Sequence, residues 1–168
     1  MGSRWLGDVG MDISFKTAEG RFNYRVAGLI IENNKLLIVT DDQSPYYYLP
    51  GGRVLMNELS EEAIIREIGE ELNIRVKVKR MLWFNENFFC DEHYDEKFHE
   101  ICLYYLLDIA DNNLQREDEF VVTEKERKFT FFWKDINEIK NLDLRPSFIR
   151  NDILYLPQSI VHKVDKNC

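Results

Sequence analysis

Residues 52 to 74, GRVLMNELSEEAIIREIGEELNI, constrain this chain more than any other stretch. Glu67, Glu70 and Glu71 stand at i, i+3 and i+4, so a helix places all three on one face. Like charges that close repel by roughly a few tenths of a kcal/mol per pair. A divalent cation removes that repulsion and turns the cluster into a site for a hard, oxygen-preferring metal.

At about 100° per residue, Ile64, Ile65, Ile68 and Leu72 fall within one arc. The three glutamates occupy the adjacent arc, with Ala63 among them. This predicts a helix over residues 59–72 that packs its apolar arc on a sheet and presents carboxylates at the core's edge. Small Ala63 is expected to leave room for a ligand above the helix. Arg66 lies off the apolar stripe and can pair with Glu70 or Glu62 at i+4 and i−4. Gly51 and Gly52 precede the helix, and without a Cβ they let backbone approach a ligand closely. Asn73 stands where the helix should end, and Asn tolerates the left-handed conformation that reverses the chain there.

Around this segment the pattern is strands, one long helix, strands, then short helices. Residues 11–16 alternate weakly, as an edge strand would. Residues 23–31 and 35–40 are apolar runs flanking Glu32-Asn33-Asn34, a hairpin turn. Residues 46–49 read as a short strand, and 75–79, 81–89, 99–109 and 129–133 as further strands. Residues 91–97 and 110–128 read as polar connections, the second long enough to suggest a functional loop. Short helices are expected at 135–139 and 146–154. A mixed β-sheet packed between helices follows, an α+β chain of α/β/α sandwich type.

With 168 residues and no interdomain linker, a single domain over 1–168 is expected. Residues 1–20 form an N-terminal extension or edge strand in this reading, and 141–168 a helix and tail. The net charge of −8 disfavours a long nucleic acid, whose binding rests on neutralising phosphates. It leaves room for a small phosphorylated metabolite, because a bound metal can invert the local sign. The N-terminus lacks an apolar signal core and no run approaches a membrane span, so a cytoplasmic protein is expected. Cys90, Cys102 and Cys168 form neither a metal pair nor a disulfide framework and read as inert thiols. A homodimer is compatible with all of this.

The 52–74 stretch resembles the Nudix (MutT-like) box, G-x5-E-x7-R-E-U-x-E-E-x-G-U, where U is a bulky aliphatic residue. Gly52, Glu58, Arg66, Glu67, Ile68, Glu70, Glu71 and Ile74 match in register. Asn73 replaces the second Gly, a mild departure if that position requires only a backbone conformation. Leu49-Pro50-Gly51-Gly52 is similar to the family's lead-in, and residues 132–139 to its late strand and helix start, so the resemblance covers about residues 22–140. It implies a Nudix fold with a loop–helix–loop box, and Mg²⁺- or Mn²⁺-dependent hydrolysis of a nucleoside diphosphate linked to another group. It also implies that Glu67, Glu70 and Glu71 hold metal or activate water and that the Gly51 carbonyl adds a ligand. Arg66 and Glu58 would orient the helix and its glutamates, with Gly52 supporting the box.

Other residues are candidates beside a plainer role. Glu100 begins the inner part of a strand and is either a site carboxylate or an edge-of-strand charge. Glu124 and Glu126 either supply an extra carboxylate or belong to a solvated loop. Tyr46 and Tyr48 either stack on a base or pack the core, with Tyr47 on the opposite side. Phe88 and Phe89 share that ambiguity, and His93 and His162 read as surface residues. The Pro about 16 residues past the box that ADP-ribose hydrolases tend to carry is missing, since no Pro lies between Pro50 and Pro146. Nucleoside triphosphates and nucleotide sugars stay open as substrates. Two other classes remain: a catalytically silent nucleotide-binding regulator, and a different diphosphate-processing enzyme on the same fold.

Overall fold

A computed structural model of the chain describes residues 10–91, 95–115, 117–124 and 126–167. Its strands are β1 (Ser14–Thr17), β2 (Gly20–Glu32), β3 (Lys35–Asp41), β4 (Gly51–Arg53), β5 (Val76–Asp91), β6 (Glu96–Ile109), β7 (Glu119–Glu124), β8 (Arg127–Asp135) and β9 (Val161–Asn167). The helices are α1 (Ser60–Leu72) and the short α2 (Phe148–Asp152), with a 3-10 turn at Ile139–Asn141 before α2. One mixed sheet runs in the order β7-β8-β3-β2-β6-β5-β9, and β1 and β4 also pair with β2.

Alternation along the strands sends successive side chains to opposite faces, and each face has its own core. On one face Val26, Leu37, Val39, Leu103 and Tyr105 pack against Ala63, Ile64, Ile68 and Leu72 of α1. On the other, Leu29, Leu36, Ile38, Trp83 and Tyr104 pack against Ile139, Leu144, Ile149 and Ile153 around the 3-10 turn and α2. This is the layered α+β arrangement expected from the sequence.

The sheet is forked. β2 and β3 pair only beside their hairpin, at Ile31↔Leu36 and Glu32↔Lys35. Beyond that point they separate, and residues 46–53 fill the wedge. Tyr48 exchanges backbone hydrogen bonds with Val39 on the β3 side, while Gly28 N–H donates to the Pro50 carbonyl on the β2 side. β4 then pairs antiparallel with β2, Gly51 opposite Ala27 and Arg53 opposite Arg25. Residues 46–49 therefore make isolated bridges rather than the expected strand.

Several expectations are corrected. The connection 110–128 contains β7, paired with β8 from Glu119↔Phe132 to Glu124↔Arg127. The two strands expected at 75–79 and 81–89 are one strand with two irregularities, at Val78/Arg80 and Met81/Trp83. The C-terminal stretch includes β9, parallel to β5, instead of ending as helix and tail. The second short helix shrinks to Phe148–Asp152, and in place of the first, β8 ends at Asp135 and a turn leads into the 3-10 turn at Ile139–Asn141. Ile65 is 42% exposed and so leaves the helix's apolar arc, whereas Ala63 is fully buried in the core. Ala63 therefore opens no space for a ligand. Cys90 is disulfide-bonded, contrary to the free thiol expected. Cys102 is free and buried, and burial first, then Glu100, pushes its thiol up to about 12. Cys168 and His93 lie outside the described residues. His162 is exposed as expected, its ring 2.7 Å from Glu86. Phe88 stacks on His99, and Phe89 on Phe98, as cross-strand pairs. Among the described residues no helix is long and apolar enough to cross a membrane.

Candidate active site

β4 is short, but both of its edges are used. The bonds from Gly28 to Pro50 and from Val54 to Tyr24 show that residues 50, 52 and 54 direct their backbone groups toward β2. The groups of Gly51 and Arg53 point the other way, toward α1. The Gly51 N–H acts on the Glu71 carboxyl and lowers its pKa, and the Arg53 carbonyl accepts from Arg66 Nη2 at 3.0 Å. Three residues of strand thus set the position of the helix's acidic face.

α1 begins after Leu59, whose side chain has no oxygen to cap with. Glu62 supplies the acceptor instead, taking the Leu59 N–H at 3.3 Å. The helix ends at Asn73, which adopts φ 52 and ψ 40 and donates its N–H to the Gly69 carbonyl. This is the left-handed terminus expected from the sequence, and it returns the buried Ile74 to the core.

Arg66 is the hub of the segment. Its Nε donates to Glu58 Oε1 at 2.7 Å and its Nη2 to Glu58 Oε2 at 3.0 Å, a two-pronged pairing. Nη1 donates to Glu67 Oε1 at 2.7 Å and to Glu70 Oε2 at 3.3 Å. Glu58 is nearly buried and its Oε2 also takes the Leu55 N–H. The loop before the helix, β4 and two helix glutamates are therefore tied to one guanidinium. Hydrogen bonding to Glu58, opposed by burial and helped by Glu67, raises the Arg66 pKa. Glu62, the other partner considered for Arg66, is spent on the helix start.

The glutamates differ in environment. Glu70 is half exposed, while Glu67 is largely covered. Burial raises the Glu67 pKa against the pull of Arg66. The Glu71 carboxyl is pushed up to about 8, first by burial and then by the Glu67 charge, with Glu124 adding to it and Arg25 and the Gly51 N–H opposing. Among the described residues no three His, Cys, Asp or Glu side chains converge as a ready-made metal cage. Arg66 instead draws Glu67 and Glu70 to itself.

The remaining candidates divide. Glu124 ends β7 and acts electrostatically on Glu71, so the structure brings it to the cluster. Glu126 sits in the following turn, exposed, with φ 69. Glu100 is buried at 9% exposure in β6, not an edge-of-strand charge. It takes the Asn23 amide at 3.4 Å, and Arg25 Nε lies 4.0 Å away. Tyr48 donates its hydroxyl to Asp41 Oδ2 at 2.6 Å, and Arg127 Nη2 lies 3.0 Å from that oxygen. Burial would raise the Asp41 pKa, but the Tyr48 hydroxyl and the Gln43 N–H hold it below its ordinary value. Tyr46 packs edge-on to Tyr48 and carries Arg145 over its ring at 4.3 Å. Tyr47 turns the other way onto Phe132, as alternation required. Arg25 and Arg53, both beside the cluster, were not singled out from the sequence. Their proximity depends on the β2–β4 register, which no residue pattern announces.

Comparison with known proteins places the fold and the family. A curated ADP-ribose pyrophosphatase of Methanocaldococcus jannaschii is 32% identical over 120 residues, covering 70% of this chain and 64% of that protein's length. A MutT protein from Bacillus halodurans superposes with a TM-score of 0.60 at 16% identity, over 83% of this chain and 89% of the other. An ADP-ribose pyrophosphatase from Streptococcus suis superposes at 0.54 and 14% identity, over 85% of this chain and 98% of the other. At such identities these two structures speak to the fold. The family model described as the NUDIX domain matches residues 22–151, most of the chain. The chain belongs to the NUDIX domain family.

Proposed function

We propose that this protein is a divalent-metal-dependent hydrolase of the phosphoric anhydride bond in a nucleoside diphosphate linked to another group. The observation that carries this reading is the Arg66 hub, which aligns Glu67 and Glu70 beside Glu71 along the outer edge of β4. Every donor there is a carboxylate or backbone oxygen, the set that Mg²⁺ or Mn²⁺ prefers. The raised Glu71 pKa is itself a mark of fit, since a bound dication would replace the proton that burial and Glu67 favour. Glu67, Glu70, Glu71 and the Gly51 carbonyl would hold the ion, with Glu124 in reserve. When bound, the metal neutralises charge on the phosphate oxygens and lowers the pKa of an attached water.

The chain's own residues do the rest. Arg66 keeps two carboxylates in register and leaves the reaction's phosphates to other groups. A glutamate of the set takes the proton from the attacking water. Gly52 leaves room for the Glu67 carboxylate and Gly51 for the Val26 carbonyl, so the two glycines let β4 close on α1 and β2.

Among substrates, a nucleotide sugar of the ADP-ribose type ranks first. The M. jannaschii relative is named for ADP-ribose, and its 32% identity outweighs the missing downstream Pro. Nucleoside triphosphates come second. Incubation with ADP-ribose, UDP-glucose and a set of nucleoside triphosphates, with and without Mg²⁺, tests the order. ADP-ribose should be cut fastest and only with metal. Equal or faster cleavage of a triphosphate would overturn the substrate assignment.

A further inference from the structure

Arg25 and Arg53 are directly opposed on neighbouring antiparallel strands. Such partners share a face with their Cβ atoms about 5 Å apart, and like charges there are destabilising. A chain with net charge −8 has had ample acidic residues to place opposite either one. Their surroundings compensate only in part. Arg25 faces Glu100 at 4.0 Å, an ion pair too long for a hydrogen bond. Arg53 Nη1 reaches Asp12 at 3.2 Å, but its Nε is buried with no acceptor. An N–H left unpaired in that way is unfavourable until an acceptor arrives. Glu100 feels both guanidiniums, and it is fixed by Asn23 and Asn87 on the strands at either side.

The position is as telling as the charge. Arg25 stands two residues from Ala27, whose strand partner is Gly51, and Arg25 acts electrostatically on Glu71. The side chains remain about one-third exposed, 34% and 38%. Arg25 therefore borders the acidic cluster, with Arg53 opposite it on β4.

We infer that Arg25 and Arg53 form the seat for the phosphate oxygens of the substrate, with Glu100 as the counter-charge that positions Arg25. The inference rests on the hydrolase reading for its ligand, and it adds the residues that bind the diphosphate. Two forked guanidiniums suit such an anion, because each can donate two parallel hydrogen bonds to phosphate. An anion between them also turns their mutual repulsion into shared attraction. Arg66, committed to Glu58, Glu67 and Glu70, takes no part in this seat.

Calorimetric titration with methylenediphosphonate, a diphosphate whose P–C–P bridge cannot be hydrolysed, tests the seat in the presence of Mg²⁺. Arg25→Gln and Arg53→Gln keep the stem and a polar end and remove the guanidinium fork and its charge. Each should weaken binding about tenfold or more, and Arg25→Lys should fall between wild type and Arg25→Gln. In steady-state hydrolysis the same two Gln variants should raise KM while leaving kcat within about threefold. Melting curves identify variants that remain folded. Folded Arg25→Gln and Arg53→Gln proteins that bind the analogue as tightly as wild type would overturn the proposal, as would a wild-type protein that does not bind it. Arginine-dependent binding without cleavage of any nucleotide-linked diphosphate would leave the seat standing and overturn the hydrolase reading instead.

Discussion

The Glu67 carboxyl occupies the space that a side chain on Gly52 would need: a Cβ built there stands 2.2 Å from it. Gly52 therefore decides where one of the helix glutamates can lie. The obstacle is the far end of a flexible side chain, so Gly52→Ala should fold and displace Glu67 from its place beside Arg66. Activity should drop by about tenfold or more while the melting temperature changes little. At Gly51 the physics is different. Its φ is +156, and a Cβ would meet the Val26 carbonyl at 2.1 Å, which is backbone. Gly51→Ala should lose about 2 kcal/mol or more of stability in a denaturant titration. Similar effects of both substitutions on stability would contradict this division.

Arg66 spends its donors on four groups of the box, Glu67 and Glu70 among them, and so acts on a substrate only through those carboxylates. Arg66→Ala should therefore reduce kcat by about ten- to a hundredfold, the worth of one or two charge-assisted hydrogen bonds. KM should stay near wild type. A raised KM with unchanged kcat would make Arg66 a phosphate-binding residue.

Asn73 at φ 52 meets the backbone demand that the box's usual Gly meets. Asn73→Gly should be neutral or slightly stabilising. Asn73→Val should destabilise by roughly 1–2 kcal/mol, because a β-branched residue resists the left-handed region. Equal stability of the two variants in urea would refute that account.

The helix, its end and its glutamates were legible because each follows from local chemistry. Periodicity placed Ile64, Ile68 and Leu72, and Asn73 marked the stop. Ile65 escaped that logic, because it stands about 100° round the helix from Ile64, at the limit of the arc, and is 42% exposed. β7 and β9 were missed for another reason. Glu119–Glu124 is a short apolar run closed by a charge at each end, and Val161–Asn167 carries Lys163, Asp165 and Lys166, so only a neighbouring strand shows that their backbones are paired. Residues 46–49 looked like a strand by composition, but the fork between β2 and β3 leaves them only isolated bridges. Glu100 read as a surface charge because the charges and amides that make its burial tolerable, Arg25, Asn23 and Asn87, are distant in sequence. Within the site, the local part was readable and the part set by strand register was not.

Glu71 makes the metal-free protein sensitive to pH. Its folded pKa of about 8 lies above the ordinary 4.5, so folding favours the protonated carboxyl. That contribution to stability is complete below pH about 4.5, shrinks as pH rises, and is gone above pH about 8. Burial moves Glu67 and Glu100 in the same direction. Without metal, the melting temperature should fall between about pH 5 and pH 8, and Glu71→Gln should flatten much of that slope. Mg²⁺ competes with the proton, so it should raise the melting temperature more at pH 9 than at pH 6. A wild-type slope retained in Glu71→Gln would show that another group titrates.

The central claim is that the carboxylates along β4 cleave a nucleotide-linked diphosphate with a bound metal. The direct measurement is product analysis of ADP-ribose incubated with wild-type protein and with Glu71→Gln, in Mg²⁺ and in excess chelator. The account predicts AMP and ribose 5-phosphate from the wild type in Mg²⁺ alone, with the rate reduced at least about a hundredfold in the variant. Equal product formation in chelator, or by Glu71→Gln in Mg²⁺, would contradict it.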